Sequence, residues 1–449
     1  MNEQRTISRL IAAGMTEDEA ERKAERFAAL EASLRAIAGP AAASPRAYWI
    51  PGRIEFLGKH TDYAGGRSLL CAVERGLCVL AAARRDGRVR MHDLCREETM
   101  TCRLQPDLAP TAGHWSMYPM TVARRLARNF PGALRGVDIV FASDLPPAAG
   151  LSSSSALITA VVLALADANE FTARVEYRRN IRGPEDLASY LSCVENGRSF
   201  GALTGDAGVG TLGGSEDHTA ILCSRPGALV QYAFCPVHFE RAIALPDDHH
   251  FVVAASGVQA EKAGAARERY NRASRAMEAI LDRWRRATGR EDGTVAEAIA
   301  SAPDAPDRMR ACLRDIEDGD AATSLLLDRF EHFLGESEEI VPAAAEAIAH
   351  GALETLGNVV DRSQERAERL LGNQIPETVA LARMARELGA VAASAFGAGF
   401  GGSVWALVHS EQAGEFRARW TERYSATFPD AAARAHVFES RAGPPMMRL

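Results

Sequence analysis

The sequence predicts an α+β protein of two domains preceded by a helical extension. Three observations carry this reading: a length of 449 residues, a serine-rich loop that opens an apolar helix in the first half, and a shift near residue 239 toward long amphipathic helices. A chain of this length exceeds what one hydrophobic core fills. The expected boundaries are 1–44 for the extension, 45–238 for the first domain and 239–449 for the second.

Composition narrows the function. A net charge of −7 without any Lys/Arg block argues against a nucleic-acid partner. The longest apolar run, 156–166, is too short to cross a bilayer, and MNEQRTISRL lacks the apolar core of a signal peptide, so a cytoplasmic protein without a membrane partner is expected. The eight cysteines form no CxxC and no Cys/His cluster at metal spacing. They read as reduced, mostly buried small hydrophobes.

In the extension, Thr16-Glu-Asp-Glu19 has the form of a capping box, and the alanine-rich run to Ile37 keeps helical spacing. This segment is expected to pack on the body of the protein. A Gly/Pro/Ser break at 38–45 precedes a short strand at 47–50. The loop Pro51-Gly-Arg-Ile-Glu-Phe-Leu-Gly-Lys-His-Thr-Asp-Tyr-Ala-Gly-Gly66 follows, with Arg53, Lys59, His60 and Asp62 set among glycines. Polar side chains on a glycine-rich loop serve a ligand. Gly58-Lys59-His60-Thr61 is not a Walker loop, because Gly52 stands one residue too far away and His60 replaces the Ser or Thr.

Strand-like runs at 77–83, 88–92 and 137–142 flank a helix around 120–128. Trp115 and Tyr118 stand just before that helix; read alone they are core aromatics. Leu145-Pro-Pro-Ala-Ala-Gly-Leu-Ser-Ser-Ser-Ser-Ala-Leu157 then ends a strand, turns at Gly150 and opens an apolar helix with four hydroxyls. Small residues at a helix start let an anion approach the unpaired N–H groups and the positive end of the dipole. Ser152 to Ser155 alone would equally suit an ordinary N-cap.

A helix at 184–194 ends at Glu195, a glycine-laden stretch covers 197–214, and Ser215-Glu-Asp-His218 comes next. Asp217 and His218 are placed either as a catalytic base or as solvated loop acids. In the second half, a strand at 250–256 leads to helices at about 262–284, 323–334, 341–349, 352–371 and 375–388. Residues 391–408 read as strand, glycine turn, strand. GxGxxG spacing recurs at 208–213 and 397–402, but neither lies between a strand and a helix, so a dinucleotide site is not indicated.

The ordered set of these pieces resembles the GHMP family of small-molecule kinases, and within it the galactokinases. Residues 51–63 are similar to the signature PGRVNLIGEHTDY, 145–157 to the phosphate loop PxGxGLSSSAA, and 397–402 to a third, glycine-rich motif. Trp115-Ser-Met-Tyr118 matches a WxxY stretch, and Ser256-Gly-Val with Tyr270-Asn271 resembles the opening of the family's C-terminal domain. The resemblance runs from about residue 46 to the end.

It implies a two-domain GHMP fold, with a ribosomal-protein-S5-like β-α-β first domain, an α/β-sandwich second domain and the active site in the cleft between them. The implied reaction transfers the γ-phosphate of ATP, with Mg²⁺, to the anomeric hydroxyl of a sugar. Asp217 falls at the catalytic aspartate and Arg53 at its partner. Gly150, Leu151, Ser152, Ser153, Ser154 and Ser155 would hold the phosphates and Trp115 would stack near the adenine. Ser154 and Glu195 would hold Mg²⁺. Arg53, Lys59, His60, Asp62, Asp217 and Tyr270 would meet the sugar, and the partners are small molecules with the chain a monomer or weak homodimer.

Two departures stand out: Lys59 replaces a Glu that resembles a contact to the sugar's 6-hydroxyl, and Glu55 replaces an Asn. A lysine there would suit galacturonate; turned to solvent or paired with Glu55, it would leave galactose as the substrate. A longer 197–214 segment is expected to reshape the sugar pocket. A non-catalytic sugar sensor is the reading of another class, disfavoured because Arg53, Asp217 and Ser154 are all present.

Overall fold

The structure is a computed structural model that describes residues 2–39, 44–147, 149–258, 264–314 and 320–449. Part of the predicted 38–45 break, Ala148 of the phosphate loop and residues 262–263 of the first long helix lie outside the described residues.

The extension is a helical hairpin, α1 (Glu3–Ala12) and α2 (Glu17–Ala38). Leu10, Phe27, Leu30 and Leu34 bury against Trp49, Leu80 and Val140, so the hairpin covers the outer face of the first sheet. The capping-box reading is corrected: Thr16 is the N-cap but its side chain makes no cap bond. Its backbone N–H donates to Glu74 Oε1, and Glu19 is occupied by Arg22 and Lys23.

The first domain continues through β1 (Arg46–Leu57), β2 (Arg67–Ala83), β3 (Arg88–Asp93), β4 (Glu98–Arg103), α3 (Met117–Asn129), β5 (Val137–Ser143), α4 (Ser153–Ala168), α5 (Val175–Asn180), α6 (Pro184–Asn196), α7 (Glu216–Cys223), β6 (Ala228–Ala233) and β7 (His238–Ala244). β1 and β2 are buried on both faces, covered by α2 on one side and α4 and α7 on the other. Such strands read as continuous apolar runs without alternation. That is why their true lengths exceed the short segments expected from sequence.

The second domain adds β8 (His249–Ala255), α8 (Gly264–Thr288), α9 (Val295–Ala300), α10 (Ala305–Arg314), α11 (Asp320–Leu334), a π-helical stretch (Gly335–Ile340) and α12 (Val341–Ala349). It ends with α13 (Leu353–Arg366), a second π-helical stretch (Ala367–Leu371), α14 (Pro376–Glu387), β9 (Ala392–Phe396), β10 (Ser403–His409), α15 (Ala413–Thr427), α16 (Pro429–Ala432) and β11 (His436–Ser440). Two short strands, β12 (Ala442–Gly443) and β13 (Met447–Arg448), close the chain.

Among the described residues there are two sheets. The larger has the strand order β13-β1-β2-β5-β3-β4, with β6 and β12 branching from β2 and β7 pairing with β6, and its β3–β5 pair is parallel. The smaller is antiparallel, β11-β8-β10-β9. They share one apolar core, where the ring of Phe56 stacks on Trp405 at 4.2 Å between centroids. Helices α8 to α11 form a separate apolar cluster around Trp284, Phe330 and Phe333.

The boundary expected at 238/239 falls inside β7, which pairs with β6 and so belongs to the first sheet. Residues 442–443 and 447–448, read as second domain, also return to that sheet. Two-residue strands carry no sequence periodicity that would reveal them.

Candidate active site

The phosphate loop is built as an anion site requires. Gly150 has φ +74°, Ser152 has φ +62°, and the Ser152 side chain makes no cap bond to α4. The Ser152 Oγ is buried without a hydrogen-bond partner among the described residues. The hydroxyl run is therefore not a side-chain cap, and the opening turn of α4 faces a cavity of about 550 Å³ lined by Trp115, Tyr118, Phe141, Ser153 and Ser154. That size and its mixed apolar and polar lining suit a nucleotide-sized ligand. Trp115 Nε1 donates to Glu98 at 2.6 Å, which fixes the ring at the cavity wall.

The glycine turn between β9 and β10 closes on this loop from the second domain. A Cβ at Gly397, where φ is +82°, would lie 3.0 Å from the Gly150 carbonyl oxygen. Ser403 Oγ donates to the Ala149 carbonyl at 2.6 Å. Only glycine permits this approach.

A second, smaller cavity adjoins the first, and Arg53, Asp217 and Ala398 line both. The pairing of β1 with β2 slips between Pro51 and Arg53 and again between Glu55 and Leu57. Such bulges re-aim side chains beside active sites. Arg53 donates through Nε to Asp217 Oδ1 at 2.8 Å, with a second contact from Nη2 at 2.7 Å, and through Nη1 to the Gly150 carbonyl. One guanidinium thus ties the carboxylate to the phosphate loop.

Ser155 Oγ lies 3.1 Å from Glu195 Oε2 and 3.2 Å from Asp217 Oδ2, within donating distance of either. His218 Nε2 is 3.1 Å from the same Glu195 oxygen. Ser154, given the metal role from sequence, instead faces the larger cavity. The carboxylates of Glu195 and Asp217, both lining the smaller cavity, meet at the Ser155 hydroxyl. Such oxygens fit a magnesium ion that takes its remaining ligands from phosphates and water.

The glycine-laden 197–214 segment folds back on the end of α6. Val209 N donates to the Glu195 carbonyl at 2.8 Å, and Arg124 pairs with Asp206 at 2.7 Å. A Cβ at Gly208 would lie 2.4 Å from that carbonyl. The segment supplies Thr211, Gly213 and Gly214 to the small cavity and carries Asp217 beside Arg53.

The remaining sugar candidates divide. His60, Asp62 and Tyr270 line the small cavity, with the rings of His60 and Tyr270 5.3 Å apart. Asp62 accepts from Tyr63 N at 2.8 Å and Glu216 N at 3.0 Å, and burial pushes its pKa up to about 6. Lys59 lines neither cavity and does not reach solvent, which corrects those two readings of it. It is buried, its charge acts on Glu55, and Nζ donates to Ser363 Oγ at 2.9 Å. Its direction is set by a residue 304 positions away.

Two carboxyl groups of the smaller cavity had no ligand role in the sequence reading, Glu55 and Glu216. Both are fully buried, and burial raises the pKa of each, with their mutual interaction adding to Glu216. Burial works against the Arg53 charge, but Asp217, Glu55 and Glu216 raise its pKa nonetheless. The available signal was local: strand alternation puts residues 53 and 55 on one face.

A two-domain fold with a glycine–serine loop opening a helix onto a nucleotide-sized cavity, and a carboxylate–guanidinium pair beside it, defines a small-molecule phosphotransferase. Residues 117–206 match the model for the GHMP kinases N terminal domain, and 344–426 that for the GHMP kinases C terminal. Residues 42–83 match the galactokinase galactose-binding signature. The chain has the two-domain GHMP kinase fold.

It is 29% identical over 383 residues to the galactokinase of Chloroflexus aggregans, covering 84% of this chain and 87% of that one. The Bacillus subtilis galactokinase is 37% identical over 122 residues, 26% of this chain and 31% of that one. Among solved structures, Lactococcus lactis galactokinase complexed with galactose superposes with a TM-score of 0.77 at 21% identity, covering 94% of this chain and all of that one. L. major mevalonate kinase in complex with R-mevalonate superposes with a TM-score of 0.53 at 14% identity, covering 90% of this chain and 97% of that one. Among the described residues, no helix is long and apolar enough to cross a membrane.

Proposed function

We propose that the protein is a sugar 1-kinase that transfers the γ-phosphate of ATP to the anomeric hydroxyl of galactose or a close relative. The observation that carries this reading is the Arg53–Asp217 pair at the meeting of the two cavities. The sugar occupies the smaller cavity, and the triphosphate enters the larger one along the N-terminus of α4.

Asp217 accepts the proton of the sugar hydroxyl as its oxygen bonds to the γ-phosphorus. The bond from that phosphorus to the bridging oxygen breaks, and ADP departs with the electron pair. Arg53 keeps Asp217 ionised and offsets charge on the transferring group. Ser154 and Glu195 would hold Mg²⁺, which neutralises phosphate charge when bound.

Five carboxyl groups (Glu55, Asp62, Glu195, Glu216 and Asp217) line the smaller cavity, and the cation that would have welcomed a uronate points elsewhere. This favours a neutral sugar over galacturonate, since like charge would have to be buried beside like charge. Measuring ATP- and Mg²⁺-dependent ADP release across galactose, galacturonate, glucose, glucuronate, arabinose and galactosamine tests the proposal. Turnover of galactose is expected. Preference for galacturonate would overturn the neutral-sugar reading, and silence on every sugar would favour a sensor.

A further inference from the structure

We infer that one face of the helix running from α11 into the π-helical stretch preorganises the loop at 58–66, and that Arg329 and Glu336 are positioning residues for the ligand of the smaller cavity. The inference deepens the sugar-kinase reading and rests on it for the identity of that ligand.

The loop needs holding. Lys59, His60, Thr61 and Asp62 are all buried, and His60 has φ +57°, a backbone region costly for a residue with a side chain. The loop belongs to the first domain and bonds mostly to itself, yet three of its main-chain groups, Gly58 N, Lys59 N and the His60 carbonyl, are held by the second. Glu336, fully buried, accepts from Gly58 N at 2.9 Å and Lys59 N at 3.4 Å. Arg329, 2% exposed, donates to the His60 carbonyl and to Tyr63 OH.

Between these two contacts Phe333 packs against Gly66, where an added Cβ would lie 2.8 Å from its ring. Ser337 Oγ accepts from Arg67 N at 3.1 Å. The offsets from Arg329 are 4, 7 and 8, one face of a helix. The π-helical stretch begins at Gly335, inside this face, and a π-bulge turns the side chains that follow it relative to an α-helical register. A Cβ at Gly335 would meet the Arg366 guanidinium at 2.3 Å, so a larger residue there would displace that side chain.

The charge of Glu336 is answered within the protein. Ser363 Oγ donates to Glu336 Oε1 at 2.9 Å and accepts from Lys59 Nζ at 2.9 Å, so Lys59 and Glu336 are linked through one hydroxyl. A buried carboxylate and ammonium so linked cost less than either alone. Neither Arg329 nor Glu336 lines either cavity. Their influence on the ligand passes through the positions of His60 and Asp62.

Two measurements on Glu336→Ala and Glu336→Gln test this. In the ligand-free protein, hydrogen exchange at Gly58 and Lys59 should be slow in wild type, about tenfold or more faster in the alanine variant, and near wild type in the glutamine variant, whose amide oxygen still accepts. In steady-state kinetics the alanine variant should raise the sugar KM about tenfold while the ATP KM stays within about twofold. Fast exchange at these amides in wild type, or unchanged exchange in the alanine variant, overturns the clamp. Equal rises in both KM values overturn the positioning role. If Glu336→Ala does not fold, Arg329→Met carries the same comparison through the His60 carbonyl. Slow exchange in a wild type that phosphorylates no sugar would strike the kinase reading and leave the clamp standing.

Discussion

Asp217 lines both cavities, the position the proposed base requires. Asp217→Asn keeps an oxygen for Arg53 but cannot take the proton. Turnover should fall on the order of 10²- to 10⁴-fold with galactose binding retained, read by ADP release and by calorimetry. The two serines separate cleanly. Ser155→Ala removes the hydroxyl between Glu195 and Asp217 and should lower kcat about tenfold with little change in the magnesium optimum. Ser154→Ala should raise the magnesium concentration for half-maximal rate, and an unchanged metal titration would remove Ser154 from the metal role. At this scale the sequence was informative where chemistry is local. Arg53, His60, Asp62 and Asp217 lie on compact motifs, whereas the direction of Lys59 depends on Ser363, and the partners of the sugar loop, Arg329 and Glu336, lie some 270 residues from it.

Among the elements, the helical hairpin at the start of the chain acts as part of the core. Phe27, 1% exposed, packs in the layer that seals the outer face of the first sheet. Lys23, wholly buried, joins Glu19 to Asp144, one residue before the phosphate loop. Phe27→Ala should cost about 3–5 kcal/mol, seen as a lowered Tm, with KM values at low temperature close to wild type. The amphipathic spacing of this hairpin was visible in sequence. The extent of β1 and β2 was not, because a strand covered on both faces loses its period-two signal.

For the whole molecule, burial of carboxyl groups at the cavity sets a pH dependence. Glu55, Glu216 and Asp62 all have raised folded-state pKa values, Asp62 about 6. The folded state therefore holds protons that the unfolded chain has released. This contribution to stability is present below the unfolded carboxyl pKa of about 4 and is lost as pH rises through the folded values. Glu55→Gln removes one such group, so its Tm relative to wild type should climb between about pH 5 and about pH 8. A constant difference across that range would show that Glu55 is not held protonated by its surroundings.

The return of β12 to the first sheet has a mechanical consequence. The chain passes from one sheet to the other twice, between β7 and β8 and again between β11 and β12. Both crossings rest on one residue: Leu245 N donates to the Gly227 carbonyl at 2.9 Å, and Gly227 N donates to the Ala442 carbonyl at 2.8 Å. Two covalent tethers pinned side by side resist sliding or twisting of one sheet across the other, and with the shared core they hold Arg53 and Gly397 in one register.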